Sequence, residues 1–110
     1  MRSDLDIHND IGSILAAIAP EGACQVIMRA KLSSELDTCQ YEYDAVYEQG
    51  NTTWFTAGGR ANTDMLALLV ELRRWYIKNK LTAGHTAWDS CEVRLDLAKV
   101  KINFTFTYPE

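Results

Sequence analysis

The spacing of hydrophobic residues first follows a helical period. Four isoleucines recur at intervals of four, three and four, on one face of a helix: Ile7, Ile11, Ile14 and Ile18. Ser3 and Asp6 both precede this run, and their spacing of three residues is that of a capping box. Pro20 cannot continue a helix. The pattern therefore predicts a first helix over residues 4–18.

The period then changes to two, which is typical of strands. In "CQVIMRAK" one side carries Cys24, Val26, Met28 and Ala30. In residues 39–48 one face carries Cys39, Tyr41, Tyr43, Ala45 and Tyr47, and the other carries Gln40, Glu42, Asp44, Val46 and Glu48. "SSELD" and "QGN" are typical of turns, and "TTWFT" predicts a short third strand ended by Gly58-Gly59. This part predicts a three-stranded antiparallel meander with one solvated face.

A second helix and a hairpin complete the pattern. The segment "NTDMLALLVELRRWYIKNK" predicts a helix capped by Asn62 or Thr63, with Asp64 in its first turn. Its apolar stripe is wide, because one face carries Met65, Leu68, Leu69, Leu72 and Tyr76 and is extended sideways by Leu66, Val70 and Ile77. "TAGHTAWDS" predicts a loop. "CEVRLDL" and "VKINFTFTY" alternate again and predict a hairpin that turns near Ala98-Lys99.

The predicted element order is α-β-β-β-α-β-β. Because each predicted strand has one apolar and one polar face, both helices are expected on one face of a five-stranded antiparallel sheet. This is a two-layer α+β fold. With 110 residues, the chain predicts a single domain over residues 1–110.

Composition indicates the class of protein. No run of about 18 apolar residues is present, so no membrane span is predicted. The N-terminus is acidic with spaced apolar positions, which argues against a signal peptide. The chain has three cysteines and no CxxC motif. Reduced thiols in a cytoplasmic protein fit this count best.

The net charge of −4 is unevenly distributed along the chain. Residues 60–80 hold five basic and two acidic side chains, whereas residues 35–48 hold five carboxylates and no Lys or Arg. The acidic set is Glu35, Asp37, Glu42, Asp44 and Glu48. Such a patch repels nucleic acid and attracts basic proteins. Either Trp54 or Phe55 must face away from the core beside this strand, and an exposed aromatic next to carboxylates is typical of a protein-binding hot spot.

Catalysis by the acids is not the favoured interpretation. Glu42 and Asp44 share a strand face with Cβ atoms about 7 Å apart. A carboxylate pair that works as acid and base needs one raised pKa, and hence burial in a cleft. These two residues are predicted on a solvated face in acidic surroundings. A plain solvated strand and a surface for a basic partner remain the two main interpretations.

The sequence gives little indication of a metal site, a catalytic nucleophile or a phosphate-binding loop. No EF-hand spacing is present, and the cysteines fall on apolar faces, where they act as small hydrophobes. No GxSxG surrounds a serine, and neither His8 nor His85 has an evident nucleophile to activate. Gly58-Gly59 before a helix could hold an anion, but the fuller phosphate-binding pattern is absent. The sequence predicts no enzyme, metal or cofactor.

The whole pattern resembles a family. The element order, the helix "TDMLALLVELRRWY" and the closing "AWDSCEVRLDLAKVKINFTFTY", with Trp88 ahead of the hairpin, are similar to small bacterial immunity proteins of the YezG-like group. The resemblance implies an antitoxin of a polymorphic-toxin or contact-dependent growth inhibition system. Its partner would be the C-terminal domain of a cognate toxin, commonly a nuclease with a basic cleft.

The resemblance includes no motif that assigns individual binding residues, so the binding residues are predicted from charge and exposure. They are Glu35, Asp37, Glu42, Asp44, Glu48, Trp54 and Phe55. In this hypothesis the carboxylates imitate a phosphate backbone and bind Lys and Arg of the toxin. Nucleic acid and membranes are not expected as direct partners.

Two other hypotheses remain. The chain could be an adaptor domain with another partner, or could pair with itself through the open sheet face, although self-association is not predicted. It could also be a small enzyme or ligand carrier that uses a cavity between helices and sheet.

Overall fold

The computed structural model describes residues 3–32, 39–79, 90–99 and 101–107, and within them it has two helices and five strands in the predicted order. The elements are α1 (Asp4–Ile18), β1 (Ala23–Leu32), β2 (Cys39–Tyr47), β3 (Thr52–Phe55), α2 (Gly59–Lys78), β4 (Ser90–Asp96) and β5 (Lys101–Thr107). The strands form one antiparallel sheet in the order β3-β2-β1-β4-β5. The predicted α+β class is confirmed.

The sheet is assembled from a meander and a hairpin. The meander pairs β1 with β2 and β2 with β3, and the hairpin pairs β4 with β5, as the alternation predicted. The two units meet where Val26 of β1 lies opposite Leu95 of β4. The sequence pattern did not predict this central pairing, which makes β1 the middle strand.

Helix α1 begins and ends where the sequence predicted. The Ser3 hydroxyl accepts a hydrogen bond from the Asp6 amide at 3.3 Å, which satisfies one of the unpaired N–H groups at the helix start. The fully buried residues are Ile7, Ile11 and Leu15, whereas Ile14 and Ile18 are half-buried. The core-facing side is therefore rotated slightly from the isoleucine stripe.

Helix α2 begins earlier than predicted, and the predicted caps are wrong. The helix starts at Gly59, after Gly58 with φ +88° and ψ 163°. That conformation is accessible essentially to glycine alone. Asn62 and Thr63 therefore lie inside the helix, and Asp64 lies beyond its first turn.

Both helices pack on one face of the sheet and form one hydrophobic core with it. α1 and α2 contribute Ile7, Ile11, Leu15, Met65, Leu69 and Leu72. The strands contribute Val26, Met28, Ala30, Leu32, Tyr43, Cys91, Val93 and Leu95. Neither described helix combines the length and apolar character needed to cross a membrane. The opposite side of the sheet bears the candidate site.

Candidate functional site

The open face of the sheet, meaning the side turned away from α1 and α2, carries both signs of charge. The alternation of the strands and their register place four basic side chains there: Arg29, Lys31, Arg94 and Lys101. Four acidic side chains accompany them: Glu42, Asp44, Glu92 and Asp96. The prediction that Glu42 and Asp44 have purely acidic surroundings is therefore wrong, because β1 places Arg29 and Lys31 between the acids of β2 and those of β4.

Arg29 links the two strands that flank β1. One guanidinium nitrogen lies 2.7 Å from Asp44 Oδ2, and Nε lies 3.2 Å from Glu92 Oε1. The hydrogen bond to Asp44 raises the pKa of Arg29 above its usual value. The Arg29 side chain is 45% exposed, so these pairs add only about 0–1 kcal/mol of stability. Their main effect is to fix two carboxylates in place.

Trp54 is the exposed aromatic of the open face. It lies opposite Asp44 in the pairing of β2 with β3, and 75% of it is accessible to solvent. Phe55 points to the helix side, where its ring lies 5.6 Å from that of Tyr43. The prediction that one member of this pair faces outward is confirmed. The half-buried Phe55 offers a partner much less surface than Trp54 does.

Glu42 lines the same groove as Trp54, and no described side chain forms an ion pair with it. It lies opposite Arg29 in the register of β1 and β2 and is exposed. Among the described residues no cation lies within ion-pair distance of it, since Arg29 is directed to Asp44 and Glu92. Glu42 can therefore accept a cation from outside the molecule.

The structure brings together only part of the predicted binding set. Glu42, Asp44 and Trp54 form one cluster on the open face. Glu48 is exposed in the turn after β2, at the other end of the strand from Glu42. Glu35 and Asp37 lie outside the described residues.

A groove of about 480 Å³ lies beside Trp54, where β3 ends. On the open face it is lined by Arg29, Glu42, Asp44 and Trp54. It continues around the edge of β2 to the helix side, where Tyr41, Ala57 and Asn62 line it. The groove thus contains the charged cluster and a second, more apolar wall.

Asn62 organises that second wall. The Tyr43 hydroxyl donates to Asn62 Oδ1 at 2.7 Å, and the Tyr41 hydroxyl donates to the Asn62 carbonyl at 2.8 Å. Burial raises the pKa of both tyrosines well above the usual value of 10, so both remain neutral donors. These bonds tie β2 to the first turn of α2.

Sequence reasoning missed Arg29 and Asn62. Alternation alone places Arg29 on the polar side of β1, but its contact with Glu92 depends on the pairing of β1 with β4. Asn62 resembled a helix cap in the sequence. Its contact with the Tyr43 hydroxyl could not be predicted, because it requires β2 to lie over the start of α2. Both omissions concern contacts between elements distant in sequence.

His8 and Cys91, two other ionisable residues, lie on the helix side of the sheet, away from this cluster. His8 stacks on Phe104 with ring centroids 4.1 Å apart, and desolvation lowers its pKa from 6.5 although Asp4 opposes this shift. Burial raises the pKa of the Cys91 thiol to about 12, so it stays protonated. Within the described ranges no three His, Cys, Asp or Glu residues lie close enough to hold a metal ion.

No protein-family model matches the chain, and a comparison with curated proteins also finds no match. The arguments for function therefore come from the fold and from the open face.

Proposed function

We propose that the chain is a cytoplasmic immunity protein that binds the C-terminal domain of a cognate toxin and neutralises it without catalysis. The observation that carries this proposal is the 75% exposure of Trp54 directly opposite Asp44, beside the unpaired Glu42. Aromatic anchors flanked by carboxylates suit a basic protein surface.

The proposed target is a nuclease, specifically an RNase, because a nuclease cleft is basic where it holds phosphates. Glu42 and Asp44 would accept charge-assisted hydrogen bonds from Lys or Arg of that cleft. Arg29 already neutralises part of the local negative charge. The recognition surface is therefore a small acidic cluster with an aromatic anchor, rather than the broad acidic surface expected from the sequence.

The charge balance of the open face favours a second candidate function. Four acids and four bases lie intermixed on the open face of the described sheet, so two such faces can complement each other. A non-catalytic adaptor domain that pairs with itself or with a similar mixed surface is consistent with that arrangement.

The decisive experiment uses the toxin domain encoded immediately upstream of the gene for this chain. RNase and DNase activities are measured with and without one equivalent of the protein, at low and high salt. We expect tight binding, loss of RNase activity and weaker binding at high salt. A folded, active toxin domain that does not bind would reject the immunity function.

Two pairs of variants test the surface in that assay. Trp54→Ala is compared with Ile77→Ala, which removes an exposed apolar side chain from α2. Glu42→Lys is compared with Asp64→Lys, an equal change of charge on the exposed side of α2. We expect both open-face variants to lose inhibition and both α2 variants to keep it. If Glu42→Lys changes only the self-association of the chain, the adaptor function is favoured.

A further inference from the structure

Strand β2 is longer than the strand that pairs with its outer edge. β2 spans nine residues, Cys39–Tyr47, whereas β3 pairs only with Tyr43–Val46. Beyond Phe55 the chain leaves the sheet and enters α2 at Gly59. In the described structure, residues 39–42 of β2 therefore have a strand neighbour on the β1 side alone.

The direction of the backbone groups along this free edge follows from the turn at the other end of β2. The Tyr47 N–H donates to the Asn51 carbonyl at 2.9 Å, and the Tyr47 carbonyl accepts from the Gly50 N–H at 2.8 Å. Tyr47 thus directs its backbone groups to the β3 side. Because successive residues of a strand alternate, Tyr41 directs its N–H and carbonyl to the same side.

The backbone groups of Tyr41 consequently point to the place where β3 would lie if it were longer. No described residue forms a hydrogen bond with them on that side. The groove of about 480 Å³ occupies this place. An unpaired donor and acceptor at the edge of a sheet form a template for another extended segment.

The walls of the groove indicate the side chains that such a segment would carry. A residue opposite Glu42 would point to the open face, toward the Glu42 carboxylate and the exposed Trp54 ring. There a Lys or Arg gains both an ion pair and a cation–π contact. A residue opposite Tyr41 would point to the helix side, where Ala57 and the Tyr41 ring favour an apolar side chain.

We propose that the free edge of β2 at Cys39–Glu42 binds an extended segment of the partner protein by strand addition, with a basic residue placed between Trp54 and Glu42. This inference rests on the proposed function for the identity of the partner, since it assigns the binding mode of the toxin domain. The occupant is a short strand with alternating basic and apolar side chains.

Amide hydrogen exchange tests the backbone contact. The Tyr41 amide, which faces the groove, should exchange rapidly in the isolated chain and become protected in the complex. The Glu42 amide faces β1 and should be protected in both states, so it serves as an internal control. At about 90% saturation we expect roughly tenfold slower exchange at Tyr41, because exchange then proceeds from the unbound fraction.

A peptide probe tests the same site without the toxin. Acetyl-Val-Arg-Val-Arg-Val-amide should shift the NMR signals of the Tyr41 amide and the Trp54 indole. The control peptide with Glu in place of Arg should not. In the chain, Thr56→Arg would place a basic side chain at the groove and should weaken binding of the Arg peptide. Thr52→Arg makes the same charge change on the neighbouring strand β3, outside the groove lining, and should leave binding unchanged.

The outcomes separate this inference from the proposed function. If the toxin domain binds but the Tyr41 amide still exchanges rapidly, strand addition is rejected and the immunity function stands. If the toxin domain does not bind but the Arg peptide protects Tyr41, the strand-addition site stands and the immunity function is rejected. Rapid exchange at Tyr41 with both partners overturns the inference.

Discussion

At the scale of single residues, buried hydrogen bonds matter more than the exposed ion pairs. Asn62 accepts hydrogen bonds from both Tyr41 and Tyr43 at the wall of the groove. Tyr43 is buried, so its hydroxyl has little access to water if this partner is removed. The ion pairs of Arg29 are half-exposed, and water can replace them at small cost.

Asn62→Ala should lower the free energy of unfolding by about 1–3 kcal/mol, because it leaves the Tyr43 hydroxyl without an acceptor. Adding Tyr43→Phe to this variant should lower the free energy of unfolding little further, since the hydroxyl donor and its amide acceptor are then both absent. Urea denaturation of the two single variants and the double variant measures this coupling. Strictly additive costs would show that the bond between Tyr43 and Asn62 does not stabilise the fold.

His8 should make stability depend on pH just below neutrality. Its folded pKa is lowered by desolvation, whereas an unfolded histidine titrates near 6.5. Above 6.5 both states are neutral and the protein keeps its full stability. As pH falls below 6.5 the unfolded chain binds a proton more readily, so stability declines until the folded pKa is passed. Denaturation curves across this range should lose that decline in His8→Gln and retain it in His85→Gln.

At the scale of secondary structure, the sequence predicted those elements whose signals are local. The alternation in "CQYEYDAVY" and "CEVRLDL" depends only on which residues face the core, and both strands were found where expected. The start of α2 was mispredicted because Asn62 and Thr63 resemble caps, while the actual start requires the unusual backbone of Gly58.

The candidate site shows the same limit of sequence reasoning. The exposure of Trp54 could be predicted, since adjacent residues of a strand face opposite sides. The ion pair of Arg29 with Glu92 could not, because it requires β4 to lie beside β1. The unpaired edge at Tyr41 also depends on where β3 leaves the sheet.

The two glycines at the start of α2, the N-cap Gly58 and the first helical residue Gly59, should respond oppositely to substitution. Gly58→Ala should destabilise the protein by about 1–3 kcal/mol, because φ +88° with ψ 163° is strained for any residue with a Cβ atom. Gly59→Ala should be neutral or stabilising by up to about 1 kcal/mol. Its Cβ would meet no atom within 4 Å, and alanine lowers the conformational entropy that the unfolded chain loses on folding. Thermal and urea unfolding of the two variants gives the comparison. Equal effects would contradict this account of the helix start.

At the scale of the whole molecule, one sheet separates two different environments. The helix side is a continuous hydrophobic core. The open side is polar and charge-balanced, although Ile27 lies on it with only 5% of its surface exposed. Charges on such a face influence binding partners more than they influence stability.

Arg29→Gln should leave the free energy of unfolding within about 1 kcal/mol of the parent, because the ion pairs are half-exposed. It should also release Asp44 and Glu92 and make the cluster beside Trp54 more acidic. The proposed basic toxin domain should therefore associate faster, with a steeper dependence on salt. Stopped-flow association rates provide the measurement.

Lys31→Gln is the matched control for that change, since it removes one positive charge from the same strand and face. It should accelerate association less, because Lys31 is not in ion-pair contact with Asp44 or Glu92. If the two variants behave alike, only the total charge of the protein matters and the arrangement around Arg29 does not.

The central pairing of β1 with β4 has a consequence for how the chain folds. The meander and the hairpin are each closed by contacts between near neighbours in sequence, whereas the seam between them joins residues 26 and 95. Closing so long a loop is the entropically costly step, and it sets the folding rate in proteins dominated by distant contacts. We therefore expect Val93→Ala, on the seam, to slow refolding in stopped-flow experiments, whereas Phe55→Ala, at the edge, should mainly accelerate unfolding. The same seam that positions Arg29 between two acids would thus form in the rate-limiting step, before β3 is fully in place.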